Sequence, residues 1–430
     1  GRWWEIFHEP ELDGLEQRLD IGNQTLGQYF QSYMAARAQV DQARAGYYPT
    51  VSVNPSYAHS AGGAVAASSA ITGGAAGAPV STGGATNLFS LPLEASWAPD
   101  LWDRVRNTVR EFDYAAQVSA ADLENMRLVE QATLATLYFE LRGQDSLQDL
   151  YNHTIAAYKE ALELTRAQAE TGVGTEEAVA QAEVTLENAE ATAIGIGTNR
   201  ALYEHAIATL LGQPASSFAL PVQVLETPAP AIPVGLPSQL LERRPDIAAA
   251  ERTMAQANAL VGVEMAAYYP SVNLSASGGL ESSALGTLFS VPALFWSLGA
   301  SVSETLFDAG LRDATVRQYK ALYKADVYAY RQTVLTAFQQ VEDYVATLRI
   351  LSRQIDRQQV ATKAAQRYLD LATDRFKTGL DPYLNVITAQ TTLLGDQQTL
   401  VTLRVSEMTA AVQLIQALGG GWKTGPHGGV

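Results

Sequence analysis

The sequence predicts an α+β chain built from two tandem copies of one unit, each copy carrying a helix, a β-hairpin and a pair of very long helices. Three observations predict it: landmarks that recur in the same order at nearly constant offset, segments of strictly alternating polarity, and long stretches in helical rhythm almost free of glycine and proline.

The duplication is read from four landmarks. Ala45-Gly46-Tyr47-Tyr48-Pro49-Thr50-Val51 returns as Ala266-Ala267-Tyr268-Tyr269-Pro270-Ser271-Val272 at an offset of 221, and Leu101-Trp102-Asp103 returns as Leu306-Phe307-Asp308 at 205. Thr171-Gly172 returns as Thr378-Gly379, and Leu211-Gly212 as Leu418-Gly419, both at 207. The fall from 221 to 205 locates an insertion in the first copy, within the Ala/Gly/Ser-rich stretch from Ser60 to Asn87, which reads as a solvated loop. The first repeat is thus 1–212 and the second 245–419, with a tail at 420–430. Residues 213–244 hold Pro214, Pro221, Pro228, Pro230, Pro233 and Pro237 and read as a linker, not a domain. Pro245-Asp246 restarts a helix, proline being preset for the first turn and the carboxylate favoured at the positive end of the helix dipole.

Each copy carries two alternating segments, giving hairpins at 50–98 and 271–304. Val51, Val53 and Tyr57 alternate with Ser52, Asn54 and Ser56; Phe89, Leu91, Leu93, Ala95 and Trp97 alternate with Ser90, Pro92, Glu94 and Ser96. In the second copy Val272, Leu274 and Ala276 alternate with Asn273, Ser275 and Ser277, and Trp296, Leu298, Ala300 and Val302 with Ser297, Gly299, Ser301 and Ser303. Period two of this length means a strand with one apolar and one polar face.

From Arg312 to Thr378 there is neither glycine nor proline, and apolar residues from Val316 to Ile355 recur at a mean spacing of about 3.5, the coiled-coil value. The matching stretch from Arg104 to Glu170 is interrupted only by Gly143. At 1.5 Å per residue each helix is roughly 100 Å long. Both reverse at glycine, near 172 and near 379, into a second helix that ends at Leu-Gly.

Composition removes several function classes. A net charge of −16 opposes nucleic-acid binding, which needs clustered Lys and Arg. The chain has no cysteine, so thiolate metal sites, thiol nucleophiles and internal disulfides are excluded. The five histidines fall in different elements without partners at ligand spacing, so no metal and no cofactor is expected. Gly195-Ile196-Gly197 is half of a dinucleotide fingerprint inside a helical pattern and reads as packing or a local bend; Gly421-Trp422-Lys423-Thr424 fails as a phosphate loop because Trp422 separates glycine from lysine. For Arg243 and Arg244 a helix-terminus or packing role outweighs anion binding. No nucleophile, base and orienting group stand together, so the chain reads as no enzyme. A run of eighteen apolar residues is absent, so any membrane insertion uses strands. The opening Gly1-Arg2-Trp3-Trp4, without a start methionine, a basic n-region or an apolar h-region, reads as a processed or trimmed product, and any export signal would lie upstream of it.

Four strands leave two open edges and an apolar face in water. Oligomerisation closes them, and strands of about ten residues that are apolar outside and polar inside are what a barrel between lipid and lumen requires. Three protomers would supply twelve strands, with the long helices continuing the wall, although periodicity does not itself fix that number. A soluble structural coiled-coil assembly is the competing reading, and the alternating segments stand against it.

The tandem order of helix, hairpin, long helix, Thr-Gly turn and helix resembles the TolC-like outer-membrane efflux factors. Trp3-Trp4-Glu5-Ile6-Phe7 with Pro10, Trp97-Ala98-Pro99-Asp100-Leu101-Trp102, Glu242-Arg243-Arg244-Pro245-Asp246-Ile247 and Ala417-Leu418-Gly419-Gly420-Gly421-Trp422 are similar to the NodT-type lipoprotein branch that partners resistance-nodulation-division pumps. The resemblance covers essentially the whole chain. It implies a homotrimeric twelve-stranded barrel in outer-membrane lipid, an α-helical barrel across the periplasm, docking to a periplasmic adaptor (membrane fusion) protein and passive efflux for an inner-membrane transporter, as in multidrug resistance. The branch's lipidated cysteine has no counterpart in these residues.

The tips, with Thr171, Gly172 and Gly174 in one and Thr378 and Gly379 in the other, lie farthest along the long helices from the strands and are expected to meet the adaptor. Trp97, Trp102, Trp296 and Phe307 fall near strand ends, where an aromatic girdle at the membrane interface would lie, and packing accounts for them equally well. The family's pore-lining positions place a constriction just beyond the second tip, at Leu384 and Thr388, which are four apart and share a helix face. Several relatives carry acids where this chain has Asn385 and Thr388, leaving Asp381 and Asp374 to supply the charge. The bland alternative has Leu384 packing on a neighbouring helix and both acids merely solvated.

Overall fold

The computed structural model describes residues 2–61, 85–232 and 244–420. A short 3-10 helix, Trp3–Phe7, precedes α1 (Pro10–Gly22) and α2 (Gln24–Ala45); β1 (Thr50–Val53), β2 (Ser56–Ala61) and β3 (Ala85–Trp97) lead to α3 (Arg104–Glu170) and α4 (Glu176–Leu210). The second copy runs α5 (Pro245–Met265), β4 (Ser271–Ser282), β5 (Leu294–Ser303), α6 (Leu311–Lys377) and α7 (Tyr383–Ala417). Two compact units result, one from Gly1–Ala35, Gln117–Thr253 and Val327–Val430, the other from Ala36–Ala116 and Met254–Asp326. Each unit draws on both copies, so compactness follows a different division from the sequence repeat. Glu242, Arg243, Pro233, Pro237, the tail from Gly421 and the middle of the insertion lie outside the described residues.

The smaller unit holds one antiparallel sheet in the order β1/β2, β3, β4, β5. β1 and β2 both pair with β3, Val53 opposite Leu93 and Ser56 opposite Ser90, so they are one strand in unbroken register. The interruption falls at Asn54-Pro55, facing Leu91-Pro92, where two prolines supply no ladder N–H. The alternating segments are therefore the strands. The insertion is shorter than the composition indicated, because Ser60, Ala61, Ala85, Thr86 and Asn87 are still strand.

α3 and α6 are unbroken helices of 67 residues each. The lone glycine of α3 has a packing reason: a Cβ on Gly143 would stand 2.5 Å from Val405 Cγ2 of α7. Along α6, the apolar positions of the 3.5-residue rhythm, Val316, Tyr319, Tyr323, Val327 and Tyr330 among them, are buried or half-buried. At Gly195 and Gly197 an added Cβ would meet nothing within 4 Å, so packing inside the protomer does not explain them, and α4 passes through both without a break.

The main core gathers Phe7, Leu12, Leu19, Tyr138, Phe139, Leu141, Ile207, Met408 and Val412, side chains from the N-terminal helices and from the long ones. The proline-rich linker enters it, with Phe218, Leu220 and Leu225 buried. Polar bonds fasten the same segment. Buried Arg142 donates to Asp145 (3.0 Å) and to the Pro221 carbonyl (2.6 Å) and pairs with Glu11; Asp145 also accepts from Arg200 (2.7 Å) and the Gln223 N–H (3.0 Å). Thr227 donates to Glu9 at 2.6 Å. A charge this deep needs partners: two carboxylates and one linker carbonyl serve the terminal nitrogens of Arg142, while its Nε has no hydrogen-bond partner. Arg244 takes the packing role: it is buried, pairs with Asp246 at 2.7 Å and donates to the Ala417 carbonyl at the end of α7 at 2.9 Å.

Candidate functional site

Register turns the alternating strands into two surfaces, because residues opposite one another across antiparallel strands share a face. On one face the rows read Val53–Leu93–Gly278–Trp296, then Val51–Ala95–Ala276–Leu298, then Trp97–Leu274–Ala300, and Leu91 stands beside Leu280 and Leu294. On the other they read Ser52–Glu94–Ser277–Ser297 and Thr50–Ser96–Ser275–Gly299, with Ser56, Ser90 and Glu281 in one row. Ala58, Leu88, Pro92 and Phe295 are the large or apolar exceptions on that polar face. The apolar face stays exposed in the chain: Val51, Leu93, Trp296, Leu298 and Val302 are all more than half accessible.

The height of that face is informative. It runs along β4 from Val272 to the row where Ser282 meets Phe89 and Phe89 meets Tyr57. At roughly 3.4 Å per residue and a tilt of about 40° this is a band on the order of 25 Å, the apolar height of an outer-membrane barrel. Beyond it the same face turns polar at His59 and Asn87.

Aromatic residues edge the band. Near its lower end the Trp97 indole N–H donates to the Tyr47 carbonyl at 3.0 Å, and Trp102 donates to the Pro270 carbonyl at 2.7 Å while stacking on Tyr269 with centroids 4.8 Å apart. Each tryptophan thus binds the backbone of one Tyr-Tyr-Pro landmark. Phe307 is 87% exposed after the end of β5. Trp296, two residues from the start of β5, shares its row with Leu93, about 13 Å along the strand from Trp97. The upper row is Tyr57 and Phe89, whose rings lie 4.8 Å apart. Sequence reading missed this pair, although both are the last aromatics before the alternation turns polar. The long helices leave the sheet through carboxylate caps: Asp100 accepts from the N–H groups of Val105 and Arg106, and Asp308 from those of Gly310 and Arg312.

The two helix tips close identically. At the first, the Gly172 N–H donates to the Ala169 carbonyl and the Val173 N–H to Gln168; at the second, Gly379 donates to Phe376 and Leu380 to Arg375. Both glycines have φ +75°, the left-handed conformation this motif requires at the residue past the helix. Thr171 and Thr378 each turn the hydroxyl back onto carbonyls of the last turn, Ala167 and Gln168 in one, Asp374 and Arg375 in the other. The tips differ after the glycine. Thr175 caps α4 by accepting from the Ala178 N–H, whereas the second tip supplies Asp381 and Pro382.

Asp381 accepts two bonds from Arg375, 2.6 Å from Nε and 3.0 Å from Nη2. That guanidinium, with help from Asn385, holds its carboxyl below the usual aspartate range. Asp374, Leu384 and Thr388 are exposed, and Thr388 donates to the Leu384 carbonyl. Tyr383, Val386 and Ala389 form the buried face of the same helix. Leu384, 55% exposed, therefore does not pack inside the protomer. A cavity of about 630 Å³ opens between the tips, lined by Gln168, Val173 and Thr175 of one and Lys377, Asp381 and Leu384 of the other.

Comparison with known proteins agrees with this geometry. The sequence pattern of the family described as outer membrane efflux protein matches residues 15–213 and 236–420. The probable efflux pump outer membrane protein TtgC of Pseudomonas putida is 32% identical over 425 residues, 98% of this chain and 85% of that protein. The pyoverdine export outer membrane protein OpmQ of Pseudomonas aeruginosa is 30% identical over 99% of this chain and 89% of its own length. Among solved structures, the outer-membrane channel OprN superposes with a TM-score of 0.89 at 28% identity, covering 98% of this chain and 92% of that one. VceC of Vibrio cholerae gives 0.86 at 25% identity, over 98% and 99%. The two-faced sheet, the paired long helices and these matches along nearly the full length have one reading: the chain belongs to the outer membrane efflux protein family.

Proposed function

We propose that the chain is one protomer of a homotrimeric exit duct that lets solutes passed from an inner-membrane resistance-nodulation-division transporter leave through the outer membrane. The observation that carries the proposal is the sheet, whose exposed apolar band has membrane height and whose outer strands, β1/β2 and β5, have no further strand partner among the described residues. Joining β5 of one protomer to β1/β2 of the next satisfies both edges, puts the apolar rows against lipid and turns the serine rows to water. Three copies make twelve strands.

In this reading the duct works without a catalytic group. The tips, with Thr171, Gly172, Gly174, Thr378 and Gly379, meet a periplasmic adaptor protein, and the cavity between them receives an adaptor side chain. Leu384 and Thr388, on the exposed face of α7, narrow the passage around the threefold axis with Asp374 and Asp381 beside them. Trp97, Trp102 and Phe307 meet the lipid headgroups. Expression in a host lacking its own outer-membrane efflux protein, followed by membrane fractionation and drug-accumulation assays, tests the proposal. Recovery in the outer membrane with lowered accumulation is the expected result; a protein there that leaves accumulation unchanged would refute export.

A further inference from the structure

The strands and hairpin loops of the membrane segment, residues 50–98 and 271–304, contain no Lys or Arg and few ionised side chains: apart from Glu304 at its lower end, only Glu94 and Glu281. That includes the part of the insertion outside the described residues, which the sequence shows to be uncharged. Both glutamates fall on the polar face, Glu94 between Ser52 and Ser277 and Glu281 opposite Ser90. They sit on neighbouring strands, offset by four residues, about 13 Å along the strand. Both are exposed, and Glu94 accepts only from the Asn54 amide at 3.3 Å. Glu304, by contrast, lies past the end of β5 and is paired with Arg312 at 3.3 Å.

We infer that Glu94 and Glu281 make the outer-membrane part of the duct a cation-selective filter, distinct from any charge at the periplasmic constriction. This rests on the trimeric reading above. Three copies place two rings of three carboxylates in the barrel lumen, with no cation on its wall to offset them. A twelve-stranded barrel has a backbone radius on the order of 12 Å, from strands about 4.8 Å apart and tilted about 40°. Inward glutamates then stand within about 8 Å of the axis, comparable to the Debye length at physiological salt, so no path through the lumen escapes their field. At the second tip, in contrast, Asp381 is already neutralised by Arg375. Cationic solutes gain local concentration in the outer section and anionic ones lose it.

Reversal potentials of the full-length assembly in planar bilayers under a KCl gradient test the inference. The Glu94→Gln, Glu281→Gln double variant should lower the K⁺/Cl⁻ permeability ratio by about twofold or more with trimer mass retained, and Asp381→Asn should change it less. Raising salt toward 1 M, where the Debye length falls to about 3 Å, should bring the wild-type ratio close to one. A double variant with the wild-type ratio would overturn the filter while leaving the duct reading intact. A wild-type protein that forms no conducting trimer would remove the duct reading and the filter with it. If the double variant does not assemble, Ser277→Cys opposite Glu94, labelled with a cationic methanethiosulfonate in this otherwise cysteine-free chain, should lower the ratio instead; labelling without effect would count against the filter.

Discussion

Arg375 and Asp381 face each other across the second helix tip in a two-bond fork, at 2.6 and 3.0 Å, that spans the left-handed Gly379. The fork joins the last turn of α6 to Asp381, two residues before α7 begins at Tyr383, and so fixes the angle at which the second helix departs. Arg375 is exposed and Asp381 half-buried, and charge-assisted forks this near solvent contribute geometry more than stability. Arg375→Ala should therefore speed amide exchange at Leu380 and Asp381 while leaving thermal unfolding of the assembly near wild type. Unchanged exchange at both amides would show that the turn holds its shape without the pair. Since the pair lowers the Asp381 pKa, its contribution is present above the ordinary aspartate range and lost as pH falls through the lowered value.

Backbone strain without steric clash gives a graded test of the tips. An added Cβ at Gly172 or Gly379 meets nothing within 4 Å, so the cost of substitution comes only from φ +75°. Asn, which tolerates that conformation, should be nearly neutral at Gly379, whereas Val should cost about 1–2 kcal/mol locally and lower drug resistance with trimer yield unchanged. Equal resistance for Gly379→Val and Gly379→Asn would argue that the tip conformation is irrelevant to docking.

Much of this architecture was legible because its signals are local. Period two exposed the strands from Val51 to Val302, and a 3.5-residue rhythm without glycine or proline exposed α6. What stayed hidden depends on partners far apart in the chain. That Trp296 lies level with Leu93 follows from inter-strand register, which composition cannot supply. The prolines of the linker announced a connector, but not that Arg142 and Asp145, about eighty positions earlier, would bind its backbone. The neutralisation of Asp381 depends on a turn that brings Arg375 back onto it.

Glu16 of α1 supplies a pH prediction. It is fully buried, neither carboxyl oxygen has a hydrogen-bond partner, and burial, with Asp20 and Asp13 adding repulsion, pushes its pKa up to about 9. The folded protein therefore holds a proton that the unfolded chain releases near pH 4.5. Its unfavourable contribution is absent below that value and grows as pH rises toward 9, reaching on the order of several kcal/mol. Thermal midpoints in detergent should fall between about pH 5 and pH 9 for the wild type and fall less for Glu16→Gln. Parallel curves for the two proteins would show that Glu16 does not carry the dependence.

The two faces of the sheet predict opposite responses to one side chain. Leu91→Arg and Leu298→Arg place a charge on the apolar band and should each cost about 2–4 kcal/mol near the bilayer midplane, sharply reducing assembled protein in the outer membrane. Ser297→Arg, one residue from Leu298 but on the polar face, should assemble normally. Normal assembly of the leucine variants, or loss with Ser297→Arg, would reverse the assignment of the faces.

The most direct test of the central claim is the mass and single-channel conductance of the detergent-purified assembly. A particle of about three times the 46.1 kDa chain, which inserts in planar bilayers and conducts, is what the edge-to-edge closure of three four-stranded sheets predicts. A monomer soluble without detergent, or a trimer that never conducts, would contradict it.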